Sequence, residues 1–315
     1  MRREDILRMF PERMRSRWQN VADLCDQVQE IRLRAGRPVT ILLGKGERFV
    51  DAGGQIVDRQ DCGAGITAGE LDEILQHLCQ YSLYAFADEI RQGFLTMQGG
   101  HRVGLAGQVI LEEAGRIRNI KYIRYLNIRI AHQIKGAADS VLCFLYDKGR
   151  VRNTLLISPP GCGKTTMLRD IIRQLSDGTA YGPGMNVSVV DERSEIAGSY
   201  MGIPQNDVGT RTDVLDGCPK VEGMMMLIRS MAPQVLAVDE LGSDKDIEAL
   251  RMASGCGCNL LATIHGNSLK EIQNKDYMRY VIEESLFERY VVLARRSGNC
   301  VIEGIYDQEG QRCIK

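Results

Sequence analysis

The sequence carries almost no net charge, since 40 basic and 41 acidic side chains leave a formal balance of −1. Proteins that capture nucleic acid by bulk electrostatics need a clear positive excess. That mode has no support here, although a local basic patch stays open. No apolar stretch approaches the roughly 20 residues that a membrane-crossing helix requires. The amino terminus, MRREDILRMFPERMRSRW, is too densely charged to read as a secretory signal. None of the 10 cysteines falls in a C-x-x-C pair, and Cys256 with Cys258 has no second knuckle at zinc-like spacing. Cys79 and Cys143 sit in apolar runs, where a thiol serves as a small hydrophobe. The expectation is a reduced, cytoplasmic protein without a metal–cysteine site. Internal repeats and low-complexity segments are also absent, which excludes a repeat architecture.

The remaining composition, 44% hydrophobic and 26% charged over 315 residues, is ordinary for a globular protein with room for two domains. Ile6, Phe10, Met14 and Trp18 recur at four-residue spacing beside arginines, as on a membrane-surface helix. Pro11 interrupts that stripe and suits the first residue of a second helix, so packed helices are the expectation.

The first half, residues 1–148, reads as a mixed α/β domain. EIRLRAGRPVTILL alternates around a Gly36–Pro38 turn and predicts a hairpin. Thr67 with Glu70 forms a capping box before LDEILQHLC, and a second helix is predicted near LYAFADEIRQG. GFLTM, HRVGLAG, QVILEE, RIRNIKYI and YLNIRIA then read as five short strands with glycines at the bends. Arg102, Arg116, Arg118, Arg124 and Arg129 on these strands suit a solvated face, a neighbour's phosphate or a membrane partner. The polar stretch YDKGRVRN is expected to join the halves.

In residues 149–315 the rhythm changes. TLLIS, NVSVVDE, QVLAVDE and NLLATIH are short apolar runs, each closed by polar residues. Continuous apolar character predicts strands buried on both faces of a parallel sheet. Right-handed crossovers place the ends of such strands along one edge, where ligands bind.

The first run opens into SPPGCGKTT and then the apolar-faced segment TMLRDIIRQL, the strand–loop–helix context of a phosphate-binding loop. Gly161 and Gly163 leave backbone amides free to face phosphate oxygens, and the loop Pro159, Pro160, Gly161, Cys162, Gly163, Lys164, Thr165 and Thr166 forms the candidate nucleotide cradle. Lys164 can reach the β- and γ-phosphates of ATP, and the Thr165 hydroxyl can ligate Mg²⁺. Ser158 stands where the usual pattern has its first glycine. Two prolines of fixed φ after it offer another way to shape the turn.

Asp239 and Glu240 follow the third run. Asp239 is a candidate for Mg²⁺, and Glu240 for orienting and deprotonating a water. His265 closes the fourth run, where an imidazole can sense the γ-phosphate. Asp191, Glu192, Arg193 and Glu195 close the second; a carboxylate there, with Glu192 the next to test, is an alternative base or holds the magnesium shell, and a salt-bridged strand end is the plainer reading. Arg211, on the glycine-bounded loop NDVGTRTDVLDG, is a candidate arginine finger toward a neighbouring subunit.

These elements resemble, in order, the phosphate loop, Asp box, Walker B strand and His box of the secretion-type ATPases of type II and IV secretion and pilus retraction. EIRLRAGRPV, GHRVGLAGQ, LNIRIA, DVGTRTDVLDGCPK and IRSMAPQVLAVDE look like one branch, the stage III sporulation protein AA family of spore-forming bacteria. The resemblance implies an α/β fold with a RecA-like P-loop ATPase core of mainly parallel sheet, preceded by a smaller mixed α/β domain. It implies a ring, expected to be a hexamer, working with membrane channel proteins of the sporulation stage III machinery between mother cell and forespore. Many secretion ATPases have Gly–Glu where this chain has Asp239–Glu240, which leaves the base between Glu240 and the Asp-box carboxylates. A RecA- or AAA-type motor on nucleic acid is the rival, but the tail RYVVLARRSGNCVIEGIYDQEGQRCIK has no dense basic stripe, so no nucleic acid is expected. A nucleotide-binding scaffold without turnover is the third reading, and the Asp239–Glu240 pair speaks against it.

Overall fold

A computed structural model describes residues 3–44, 46–112, 115–296 and 299–313. It divides the chain into two compact units, Met1–His132 and Gln133–Lys315. Among the described residues, no helix is long and apolar enough to cross a membrane.

The first unit opens with α1 (Arg3–Leu7), a 3₁₀ helix (Glu12–Trp18) and α2 (Gln19–Asp23). Pro11 stands just before the 3₁₀ helix and ends the first one. The Ile6–Trp18 stripe turns inward: Ile6, Phe10 and Trp18 are buried, and the rings of Phe10 and Trp18 stack with centroids 3.9 Å apart. Strands β1 (Val28–Arg34) and β2 (Val39–Leu43) form the predicted hairpin, with Gly36 at φ 70° in its turn. Next come β3 (Gly46–Val50), β4 (Ile56–Val57), α3 (Ala68–Leu78) and α4 (Ala87–Gln92). The capping box is present at α3 in both directions, from Thr67 to the Glu70 amide and back.

The stretch read as five strands holds three: β5 (Phe94–Thr96), β6 (Arg102–Leu111) and β7 (Ile117–Arg129). Glu113, the last residue of the expected QVILEE strand, lies outside the described residues. The reason for the difference is a bulge. Register shifts between Ala106 and Gln108, and the partner strand approaches so closely there that a Cβ on Gly107 would lie 2.6 Å from the Lys121 carbonyl oxygen. The glycine bends one continuous strand instead of ending it. The sheet order is β4-β3-β2-β1-β7-β6-β5, antiparallel throughout.

The second unit begins at Gln133, earlier than the boundary expected at 148/149. Ala138, Val141, Leu145, Tyr146 and Val151 pack into its core, so the segment before residue 149 has its apolar contacts there. YDKGRVRN is accordingly no linker. After α5 (Leu142–Leu145) it folds as a hairpin of β8 (Tyr146–Asp147) and β9 (Arg150–Val151).

The main sheet is then assembled from β10 (Thr154–Ser158), α6 (Lys164–Asp177), β11 (Val187–Asp191), β12 (Thr212–Asp216), α7 (Lys220–Met231), β13 (Val235–Val238), α8 (Asp244–Gly255) and β14 (Asn259–His265). Short α9 (Leu269–Gln273) and α10 (Arg279–Glu283) lead to β15 (Arg289–Arg296) and β16 (Asn299–Asp307). The order is β12-β11-β13-β14-β10-β15-β16, with only β16 antiparallel to its neighbour.

Alternate residues of one strand enter opposite cores. Leu155 and Ile157 of β10 pack with α7 and α8, whereas Leu156 packs with α6. Val190 likewise faces one core while Val187 and Val189 face the other. Helices on both faces explain why these strands read as unbroken apolar runs. They also set the carboxyl ends of β10, β11, β13 and β14 on one edge.

Candidate active site

The phosphate loop joins β10 to α6. Ser158 is fully buried at the strand end, and its hydroxyl donates to the Pro159 carbonyl at 2.8 Å. Extended backbone at this position has no need of glycine, so serine fits and its hydroxyl braces the turn. The left-handed residues are Gly161 (φ 67°) and Gly163 (φ 73°), where a side chain would be strained. Gly163 is the cap of α6, and no side chain caps that helix start, so its first amides remain open to an anion.

Lys164 and Thr165 follow, within reach of the end of β13. The Lys164 ammonium lies 3.6 Å from Asp239 Oδ1 and is itself buried. The Thr165 hydroxyl lies 3.3 Å from Asp239 Oδ2. Asp239 also accepts from the Thr263 hydroxyl of the neighbouring strand β14. The same hydroxyl oxygen accepts from the Glu240 amide at 2.9 Å.

Glu240 has φ 46°, a left-handed conformation that costs a residue with a Cβ on the order of 1 kcal/mol. Three bonds fix it: the one to Thr263 Oγ1, a 2.8 Å bond from the Leu241 amide to the Thr263 carbonyl, and a 2.8 Å bond from Lys220 to the Glu240 carbonyl. The turn brings its carboxylate 3.2 Å from His265 Nε2 and 3.4 Å from Arg193. His265 Nδ1 in turn lies 3.3 Å from the Ser158 carbonyl, which ties the last residue of β14 to the base of the loop.

The carboxylates after β11 divide into two kinds. Asp191 is buried and accepts from the amides of Glu195, Ile196 and Ala197 at 2.8–3.1 Å, so it shapes its own loop and does not face the site. Burial pushes its carboxyl above the ordinary value, and the amide bonds oppose that shift. Glu192 points outward and pairs with Lys220 at 3.1 Å. Lys220 thus joins Glu192 to the Glu240 backbone. Arg169 of α6 staples the loop from below through the carbonyls of Ile196 and Glu195, at 2.5 and 2.6 Å.

Arg211 is the candidate that the structure keeps away from this cluster. Its guanidinium donates to the Ser176 carbonyl at 2.9 Å and its amide to the Ser176 hydroxyl at 2.7 Å. Ser176 is at the far end of α6, roughly 18 Å from Lys164 at about 1.5 Å per residue. An arginine bonded there anchors the start of β12 and takes no part in the site of its own chain.

On its other side the loop meets the carboxyl-terminal hairpin. Arg295 of β15 donates to the Gly161 carbonyl at 2.6 Å. A cavity of about 350 Å³ opens between Thr166 and Met167 of α6 and the apolar side chains of Ile134, Leu293, Val301 and Ile302. Lys220, Thr263, Arg169 and Arg295 all organise the site, yet the sequence assigned none of them a role, although Lys220 closes the segment DVGTRTDVLDGCPK. Proximity to the four strand ends is the only signal that could have found Thr263.

A family model for sporulation stage III, protein AA, matches residues 1–313. Stage III sporulation protein AA of Bacillus subtilis (strain 168) is 40% identical over 307 residues, which cover 97% of this chain and 95% of that protein. The uncharacterized protein ycf45 of Porphyra purpurea is 29% identical over 180 residues, 56% of this chain and 30% of that protein. Among solved structures, the Yersinia pseudotuberculosis ATPase DotB aligns with TM-score 0.60 at 12% identity, over 96% of this chain and 81% of that one. The pilus retraction motor PilT with bound ADP aligns with TM-score 0.56 at 15% identity, over 91% and 81% of the two chains. At such identities the likeness shows the fold, a RecA-like core of mainly parallel sheet preceded by a separate domain with an antiparallel sheet. The match along almost the entire sequence settles the family: the chain belongs to the sporulation stage III protein AA family.

Proposed function

We propose that this chain is an Mg-dependent ATPase of the secretion-motor type, working as an oligomeric ring at the cytoplasmic, mother-cell side of the engulfing membrane. In this reading its partners are membrane channel proteins of the stage III machinery, and turnover energises assembly of the channel or transport through it. The observation that carries the reading is the meeting of Lys164, Thr165, Asp239, Glu240 and His265, from three separate strand ends, at one phosphate loop.

The open amides of the loop and the Lys164 ammonium bind the β- and γ-phosphates. Thr165 and Asp239 fit a magnesium ion because a hydroxyl and a carboxylate oxygen already face each other there. Among the described residues no cluster of three or more His, Cys, Asp or Glu side chains could hold a metal. Thr165 and Asp239 would hold such an ion, which when bound would offset phosphate charge. Glu240 accepts the proton of the attacking water, with His265 holding the carboxylate beside the γ-phosphate position. Glu192, held by Lys220, is the second choice for that base. The apolar cavity beyond Thr166 receives the base of the nucleotide.

Phosphate release from Mg-ATP by the full chain tests the activity, with sedimentation before and after a non-hydrolysable analogue to test the ring. Measurable turnover and a discrete nucleotide-dependent oligomer are expected. A protein that binds no Mg-ATP would end the reading, and turnover that requires single- or double-stranded nucleic acid would reassign the motor's substrate.

A further inference from the structure

The phosphate loop holds one cysteine, Cys162, buried between its two glycines. Cys300, near the start of β16, is exposed to solvent. Cys300 is close enough to Cys162 to perturb its thiol. The Cys300 sulfur also lies 3.9 Å from the Gly161 carbonyl oxygen. A Cβ on Gly163 would meet both Cβ and Sγ of Cys300 at 3.9 Å. The backbone on either side of Cys162 is therefore packed against Cys300, and both cysteines line the same cavity. Arg295, bonded to the Gly161 carbonyl, sets a guanidinium beside the pair. Burial and the neighbouring Cys300 push the Cys162 thiol above its ordinary value, and the Arg295 charge opposes them.

We propose that Cys162 and Cys300 are a modification site, a thiol pair that closes into a reversible disulfide and locks the phosphate loop. The oxidant is a low-molecular-weight disulfide. The exposed Cys300 thiolate attacks one of its sulfurs, the S–S bond breaks, and the leaving thiolate takes up the proton as one free thiol. Cys162 then attacks Cys300 Sγ in the mixed disulfide and releases the second thiol. Two electrons pass from the cysteine pair to the small disulfide, which leaves as two thiols. The new bond ties the residue between Gly161 and Gly163 to β16, so the loop can no longer adjust its amides to phosphate. That consequence rests on the nucleotide reading given above; the formation of the bond does not.

The test incubates the full chain with oxidised glutathione, blocks remaining thiols with iodoacetamide, and maps the digest by mass spectrometry. A peptide pair joined through Cys162 and Cys300, two hydrogens lighter than its separate parts and released by dithiothreitol, is expected. It should vanish in Cys162→Ser and in Cys300→Ser but persist in Cys256→Ser. Binding of a fluorescent ATP analogue should fall about tenfold or more on oxidation of the parent. In Cys300→Ser the oxidised and reduced samples should bind alike. Recovery of Cys300 only as its glutathione adduct, or paired with another cysteine, overturns the proposal. The joined peptide with unchanged nucleotide binding overturns the lock. If the reduced parent binds no nucleotide, the ATPase reading fails, while the peptide map still decides the disulfide.

Discussion

The two seven-stranded sheets use their faces differently. In the first unit, β1 buries Val28, Ile31 and Leu33 while the residues between them stay partly or fully exposed. In the second, β10, β11 and β13 are buried at every position. Neighbouring antiparallel strands end on opposite edges, so polar strand ends are scattered. Parallel strands end together, and Ser158, Glu240 and His265 meet although long chain segments separate them. Ion pairs in the first unit, such as Arg124–Asp72 and Arg32–Glu30, are partly exposed, and such pairs contribute about 0–1 kcal/mol. Chemistry is expected from the parallel edge alone.

The strongest way to break that contrast is to disable the edge and ask whether anything remains. Glu240→Gln should lower phosphate release by about 10²–10⁴-fold, the range for loss of a general base, while nucleotide binding persists. Glu192→Gln should leave most of the turnover. The reverse ranking in a phosphate-release assay would move the base to Glu192. Lys164→Ala should weaken ATP binding about a hundredfold, from the loss of charge-assisted bonds to phosphate. Titration of a fluorescent nucleotide checks this, and unaltered affinity would remove the loop from the site. Neither change should alter the unfolding of the first unit.

How much of this was legible depended on whether a residue announces itself locally. Lys164, Asp239, Glu240 and His265 could be read because each follows an unbroken apolar run, and strands of a parallel sheet finish on one edge. Arg169 lies in an ordinary helical stretch and Lys220 at a helix start, and both act only through tertiary contacts, so their residue types alone give no role. In the first unit the same limit showed in β6 and β7. Glycine looks alike in a turn and in a bulge, and only the approach of the partner strand to Gly107 decides between them. The domain boundary was misplaced for a related reason, since YDKGRVRN is polar at most positions yet buries Tyr146 and Val151.

A smaller effect probes the first unit itself through His101. It is buried; its Nδ1 accepts from the Ala131 amide at 3.1 Å, so the ring proton is on Nε2, which has no hydrogen-bond partner among the described residues. Burial lowers its pKa to about 4, with Asp5 opposing and His132 adding to the shift. Between pH 6.5 and 4 the unfolded chain binds a proton that the folded one refuses. Stability from this group is therefore complete above the unfolded value and is lost as pH falls, by up to about 3 kcal/mol. Urea unfolding at pH 7 and at pH 4.5 should show this loss, and His101→Asn should reduce it. Equal slopes in parent and variant would mean that the ring is protonated in the folded state.

The smallest expected effect separates local from tertiary stabilisation. Thr67 caps α3 by accepting from the Glu70 amide at 3.1 Å, while Glu70 accepts from the Thr67 amide at 2.7 Å. Thr67→Ala removes one half of this exchange and should cost about 1 kcal/mol. The inner face of α3 buries Leu71, Ile74, Leu75 and Leu78, so the helix should remain formed and only its first turn should fray. Hydrogen exchange would show faster amides at 68–70 and unchanged protection at 74–78. ATP binding by the second unit should be unaffected, because the cap has no part in the phosphate loop. A cost well above this value, with exchange spreading through 74–78, would show that α3 depends on its cap more than on its packing.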